Sequence, residues 1–184
     1  NGDIYAVKGD VVAMLYNADG TTVAYTDAAA AIAAYDSAEK LVLLADLADL
    51  ELTKDLTVDL NGHSIRMDEG RAMALNKPGS LTIVDSVGTG KVSVRTQKND
   101  NGMVVNVNNA KAVFNLYGGT LDGTGVANGN NGAIVNVAGS MNMYGGKIIG
   151  GKGVNGGAVR LSNEDATLLM TGGTITGGSA KRGG

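Results

Sequence analysis

The sequence predicts an all-β fold: a parallel β-helix of about five to six turns, with a repeat of about 27 residues, an N-terminal hairpin and a capping α-helix. Three observations carry this. Aliphatic residues recur at Ile65, Val92, Leu121, Ile148 and Ile175, in steps of 27, 29, 27 and 27 residues. Glycine precedes several of them at a fixed offset, as in Gly118-Gly119-Thr120-Leu121, Gly145-Gly146-Lys147-Ile148 and Gly172-Gly173-Thr174-Ile175. The composition pairs 29 glycines with the single proline Pro78, and has one Phe and no Trp, so a thin aliphatic core is wrapped by many tight turns.

Residues 1–40 stand apart from the repeats. Val11–Tyr16 and Thr21–Tyr25, joined across Asn17-Ala18-Asp19-Gly20, read as a β-hairpin with an Asp-Gly turn signal. Thr26 or Asp27 then caps a helix through the alanine-rich Ala28–Ala34 and Tyr35 towards Lys40, favoured by alanine propensity and an acidic first turn. Leu41-Val42-Leu43-Leu44 is a short apolar strand that starts the array, which occupies 41–184 and reads as truncated at its C-terminal side. Asn1-Gly2-Asp3 resembles neither an initiator start nor a signal peptide, and both ends fit a segment of a longer polypeptide.

Each repeat carries two strand-like arms. The first comprises 56–60, 113–117, 140–144 and 167–171, and its alternation gives inward columns Val58/Phe114/Met141/Leu168 and Leu60/Leu116/Met143/Met170. Outward positions of that arm are Asp59, Asn115, Asn142 and Leu169. The second arm is Met73-Ala74-Leu75, Val105-Asn106-Val107, Val135-Asn136-Val137 and Val159-Arg160-Leu161, with Asn or Arg facing outward in the last three. In this register Asp85 falls on an inward column, which predicts a local bulge that re-aims it. The stretches 96–102 and 123–132 read as insertions, the second flexible by composition. Stacked at roughly 4.8 Å, successive coils would place each inward residue on its equivalent above and below.

Asp59-Leu60-Asn61-Gly62-His63-Ser64-Ile65, Asp85–Val92, and the Tyr-Gly-Gly-Thr-Leu, Tyr-Gly-Gly-Lys-Ile and Thr-Gly-Gly-Thr-Ile corners resemble the right-handed parallel β-helix repeats of the pectate-lyase-like superfamily. More narrowly, they resemble the Gly/Thr-rich repeat regions of large secreted or wall-attached proteins of Gram-positive bacteria. The resemblance covers about 41–184 and implies right-handed coiling and a cell-surface setting. It leaves activity open, since that superfamily hosts lyases, hydrolases, adhesins and spacers.

Formal charge is −3 with acids and bases interspersed, so no nucleic-acid footprint is present. The absence of Cys excludes disulfides, thiolate metal sites and Cys nucleophiles, and no stretch is long and apolar enough to insert in a bilayer. His63, the single histidine, reads as a turn residue and leaves no His-based triad or metal site. The glycine pairs lack the Gly-Lys-Ser/Thr of a phosphate loop and read as corners where a Cβ would crowd the neighbouring coil.

Tyr117 and Tyr144 share one repeat position on successive turns, in a series that lapses into Asn61, Gly88 and Thr171. Stacked rings there can bind sugar or protein, or can simply pack on each other. Lys147, Lys152, Arg160, Lys181 and Arg182 give the last turns a basic bias. The ligand-binding candidates are therefore Tyr117, Tyr144, Lys147 and Arg160, with no catalytic residue, metal or cofactor assigned.

The functional expectation is a non-catalytic module of a secreted or cell-surface bacterial protein, acting as a stalk, adhesin or binding surface. Its expected partners are carbohydrate or a host or cell-surface protein, with end-to-end or edge contact at an open C-terminal turn. The alternative is a polysaccharide lyase or glycoside hydrolase, which needs acids and bases gathered in one groove. It would require Asp122, Arg95, Lys91 or Asp85 to meet on one face. An ice-binding coil wants flat ranks of Thr, and Thr57, Thr82, Thr120, Thr174 and Thr176 are too irregular.

Overall fold

A computed structural model describes residues 9–36, 38–53, 55–95, 103–126 and 134–182. The insertion at 96–102 and residues 127–132 of the second lie outside them. Strand β1 (Ala13–Asn17) pairs antiparallel with β2 (Thr22–Tyr25). In their loop the Asp19 carboxylate accepts from the Thr21 N–H (2.9 Å) and hydroxyl (2.6 Å), and Gly20 takes a φ of +82°. Helix α1 (Ala28–Ala34) is capped by Asp27, whose side chain accepts from the Ala29 N–H at 2.9 Å.

The helix is shorter than alanine propensity predicts, and its first turn contains no acid beyond the cap. Tertiary demand overrides propensity here. Tyr35 is already extended and nearly buried, with its hydroxyl donating to the Glu39 carbonyl (3.1 Å) and accepting from the Thr57 N–H (3.1 Å). The chain beyond is drawn into β3 (Ala38–Leu43), which gains a partner on each side: β1 antiparallel, and β5 (Leu56–Asp59) parallel. The hairpin thereby covers the edge of the first coil, while α1, with Ala31 and Ile32 buried, packs on β1 and β2. This covers the edge of the eight-stranded sheet, while the other two sheets end at this side on β4 (Leu47–Ala48) and at the Leu52–Met73 bridge.

From β3 onward the chain is a parallel β-solenoid of three sheets. The first coil is abbreviated to β3, the two-residue β4 (Leu47–Ala48) and a single bridge from Leu52 to Met73. Four complete coils follow. They are β5, β6 (Ser64–Met67) and β7 (Arg71–Leu75); β8 (Gly79–Val84), β9 (Lys91–Val94) and β10 (Met103–Val107); β11 (Ala112–Leu116), β12 (Thr120–Asp122) and β13 (Val135–Val137); and β14 (Ser140–Met143), β15 (Lys147–Asn155) and β16 (Val159–Leu161). The last described coil holds β17 (Thr167–Met170) and β18 (Thr174–Arg182). The count of about four full turns falls below the expected five to six because the first and last coils each lack a full third strand among the described residues.

The column that set the period is present in register: Leu47, Ile65, Val92, Leu121, Ile148 and Ile175 lie on successive strands of the six-stranded sheet. From Ile65 to Ile148 these side chains are fully buried, each worth about 1.5–3 kcal/mol against exposure. The second arm also holds its register, with Met73, Val105, Val135 and Val159 aligned on the four-stranded sheet.

The first arm differs from the sequence register by two residues at β5 and by four at β8, where Leu81 rather than Asp85 lies under Phe114. Leu56, Leu81, Phe114, Met141 and Leu168 form one column, and Val58, Ile83, Leu116, Met143 and Met170 the next. An even shift keeps every side chain on its own face, so periodicity alone could not detect it. Asp85 is consequently not on an inward column, and β8 pairs with β5 without a bulge. Thr57, Thr82, Asn115, Asn142 and Leu169 are the matching outward residues, whereas Asp59 lies one step from this column and is 6% exposed. Asn142 Nδ2 donates to Asn115 Oδ1 (2.9 Å), and Asn115 Nδ2 to the Thr82 hydroxyl (3.2 Å). At the last described rung, Met170 is 44% exposed where Met143 below it is fully buried.

The corners between the eight-stranded and six-stranded sheets explain the glycine pairs. A Cβ on Gly145 would lie 2.3 Å from the Tyr117 carbonyl oxygen, closer than atoms can approach. Gly146 turns the chain at a φ of +75°, where L side chains are strained. One glycine of the pair thus serves close approach of coils, and the other the reversal.

Candidate functional site

Tyr117 and Tyr144 leave β11 and β14 at this corner, and their rings stack with centroids 4.5 Å apart and planes 23° off parallel. They are 51% and 39% exposed. Leu116 pairs with Ile83, so the rung below Tyr117 is Val84 rather than Gly88; Thr171 follows Met170 on the rung above. The aromatic ridge is therefore two residues long, flanked by small side chains.

Lys147 opens β15 on the far side of the same corner and is exposed. It aligns with Thr120 and Thr174, and Thr120 with Lys91, so lysines occupy alternate rungs beside the ridge. Arg160 is not brought to this place. It lies on β16 of the four-stranded sheet, in register with Asn136 and Asn106, on a different wall. Asn106 and Asn136, read from sequence as simply outward, are 3% and 8% exposed. The repeated Val-Asn-Val was a visible signal of their alignment; their burial was not visible.

The outer face of the six-stranded sheet gathers three of the four residues the enzymatic alternative needs. Asp122 Oδ2 is 3.4 Å from Lys91 Nζ. Asp122 and Arg95 share a shallow groove of about 380 Å³ with Arg66, Ser93 and Thr124. Arg66 and Arg95 both approach Asp68, at 3.6 and 4.0 Å. Partial burial acts to raise the Asp122 pKa. The Thr124 hydroxyl (2.7 Å) and N–H (3.0 Å), together with the Lys91 ammonium, outweigh that and hold the carboxyl below its ordinary value. Such a group is a fixed anion, suited to orienting a cation or hydroxyl and poorly suited to donating a proton.

Asp85 stands apart from this groove. Its Oδ1 accepts from the Gly62 N–H at 2.8 Å and its Oδ2 from the Gly90 N–H at 2.6 Å, so both oxygens bind backbone at the corner. Asp59 Oδ1 alone accepts from both the Asn61 N–H (2.9 Å) and the Ser86 N–H (3.0 Å). His63 sits at that corner too, with Nδ1 3.5 Å from Asp46 Oδ1. Among the described residues no group of three or more His, Cys, Asp or Glu could hold a metal ion, and no helix is long and apolar enough to cross a membrane.

A further recess, about 730 Å³, is an open polar cleft where the end of α1 meets the corner between the four-stranded and eight-stranded sheets. Asp55 on its wall accepts from the Ser80 N–H (2.8 Å) and hydroxyl (3.0 Å).

Fold and register make this chain a parallel β-solenoid. No family model, curated protein or solved structure matches it.

Proposed function

We propose that this solenoid is a non-catalytic module of a secreted or cell-surface bacterial protein. In this reading it belongs with the right-handed β-helices of the pectate-lyase-like superfamily, of the kind carried by large Gram-positive surface proteins. It serves as a stalk that presents a binding edge to carbohydrate or to a surface protein. The observation that carries this is the stacked yet half-exposed Tyr117–Tyr144 pair, with Lys147 across the corner. An aromatic pair adds about 0.5–1.5 kcal/mol beyond its area burial, and rings left this open retain apolar area for a ligand. Supporting it, the eight-stranded sheet is faced by Thr and Asn ladders rather than by reactive groups.

The test is a glycan and surface-protein array probed with the chain and its Tyr117→Ala and Tyr144→Ala variants. Binding that both variants lose, with less than about 1.5 kcal/mol of destabilisation, is the expected result. Binding indifferent to both substitutions, or none on any array, rejects the ridge.

The enzymatic alternative draws on one specific feature, the groove shared by Asp122, Arg95 and Arg66, with Lys91 at 3.4 Å from Asp122. Release of unsaturated products or reducing ends from pectin, alginate or host glycans, abolished by Asp122→Ala, would replace the binding reading with this one.

A further inference from the structure

We propose that this chain forms a two-fold dimer by antiparallel pairing of β2 with the β2 of a second copy. The hairpin covers β3 by moving the end of the eight-stranded sheet outwards, and β2 is now its terminal strand. Register with β1 sets Tyr25 opposite Ala13 and Val23 opposite Leu15. The Thr21 carbonyl accepts from the Asn17 N–H at 2.9 Å, and that of Tyr25 from the Val12 N–H at 2.8 Å. In an antiparallel ladder the backbone groups of alternate residues point to the same side. Residues 21, 23 and 25 therefore direct theirs to β1. Those of Thr22 and Ala24 point away from the sheet, where no described strand lies.

Strand β2 lacks the features that keep edges apart. Natural edges are protected by Lys, Pro, bulges, very short strands or a covering element. The matching end of the six-stranded sheet, β4, has two residues. By contrast β2 is Thr-Val-Ala-Tyr, uncharged and in unbroken register with β1, and Thr, Val and Tyr all favour strands. Val23 adds an apolar reason to pair. It shares the inner face of the sheet with Leu15, which is 2% exposed, yet Val23 at the edge is 42% exposed.

The segment is complementary to itself. A two-fold axis at Val23 sets Thr22 opposite the partner's Ala24, and Ala24 opposite the partner's Thr22. Each of these pairs exchanges two hydrogen bonds, which satisfies every outward backbone group of Thr22 and Ala24. Val23 then meets the partner's Val23 as a non-hydrogen-bonded pair, the arrangement that brings side chains closest. The nearest acids along the chain, Asp19 and Asp27, lie beyond the ends of the stretch and accept from the Thr21 and Ala29 N–H groups. A foreign strand could meet the backbone groups, but a second copy also supplies the matching valine at the centre. Such an isologous contact closes at two subunits. Four residues a side make a small interface, so the dimer is weak, with a Kd of about 10–100 µM. The axis is perpendicular to the sheet, so both outer faces look the same way; the dimer does not depend on what the Tyr117–Tyr144 ridge binds.

The experiment is sedimentation velocity on the full chain from about 5 to 500 µM, with amide exchange followed by NMR at both ends of that range. The expected result is a dimer that grows with concentration. The Thr22 and Ala24 N–H groups should exchange about fivefold more slowly at the high end, while those of Val23 and Tyr25, already paired with β1, change little. Val23→Lys sets two ammonium groups side by side at the axis, and Ala24→Pro removes an outward N–H that β1 does not use. Each should weaken dimerisation about tenfold, and if the proline variant does not fold, Val23→Lys decides alone. Tyr117→Ala should leave the dimer unchanged. A monomer at every concentration overturns the proposal, and if Thr22 and Ala24 are nonetheless protected, another segment of the chain covers β2. A dimer that Val23→Lys leaves intact also overturns it, because the contact then lies elsewhere.

Discussion

Replacing Asp85 by Ala removes the acceptor for two backbone donors, Gly62 N–H on the coil below and Gly90 N–H on its own coil. Hydrogen bonds to a charged group are worth about 1.5–3 kcal/mol each when lost. The corner is only partly buried, so water can recover some of this, and the expected total is about 2–4 kcal/mol. For a chain of this size that lowers Tm by about 5–12 °C. Asp85→Asn keeps one oxygen and turns an amide donor towards the second N–H, so it should recover less than half of the loss. The assay is thermal unfolding followed by circular dichroism, with urea unfolding as a second measure. An Asp85→Ala variant within about 1 °C of the parent would refute the structural role.

Gly146→Ala combines a left-handed φ of +75° with a Cβ 2.8 Å from the Gly119 carbonyl oxygen, and should cost about 2–4 kcal/mol in urea unfolding; exposed Gly88→Ala, whose Cβ meets nothing within 4 Å, should cost less, from its φ alone. The Asp122 carboxyl is held below its unfolded value, so its stabilisation is complete above about pH 5 and fades as pH falls through the depressed folded value. Melting curves from about pH 6 to pH 2.5 should show Asp122→Asn losing part of that acid sensitivity, while an unchanged profile would contradict the Thr124 and Lys91 contacts. Deletion of residues 1–36, which removes the hairpin and α1 but stops short of β3, should expose the edge of the first coil and drive association in size-exclusion chromatography; a soluble monomer would contradict the capping role of the hairpin and α1.

The reach of sequence reasoning can be followed residue by residue. Ile65, Val92, Leu121, Ile148 and Ile175 are aligned as their spacing required, because a solenoid stacks the same residue class at each rung or leaves a cavity. The Tyr117–Tyr144 stack was legible for the same reason. The helix boundary was not, since alanine propensity says nothing of β3 being wanted by β1 and β5 at once. Nor was the placement of Arg160 away from Lys147: both lie in the last coils, but the three walls of the solenoid point different ways.

Period, strand-rich composition and glycine corners thus determined the coiled architecture and its main core column from the chain alone, because those depend on local periodicity repeated in kind. Tertiary structure alone decided the coil-to-coil register of the first arm, the use of Asp59 and Asp85 as backbone acceptors, and the burial of Asn106 and Asn136. The physical reason is that a two-residue slip preserves every inside–outside assignment, while hydrogen-bond partners and burial depend on which rung lies next door.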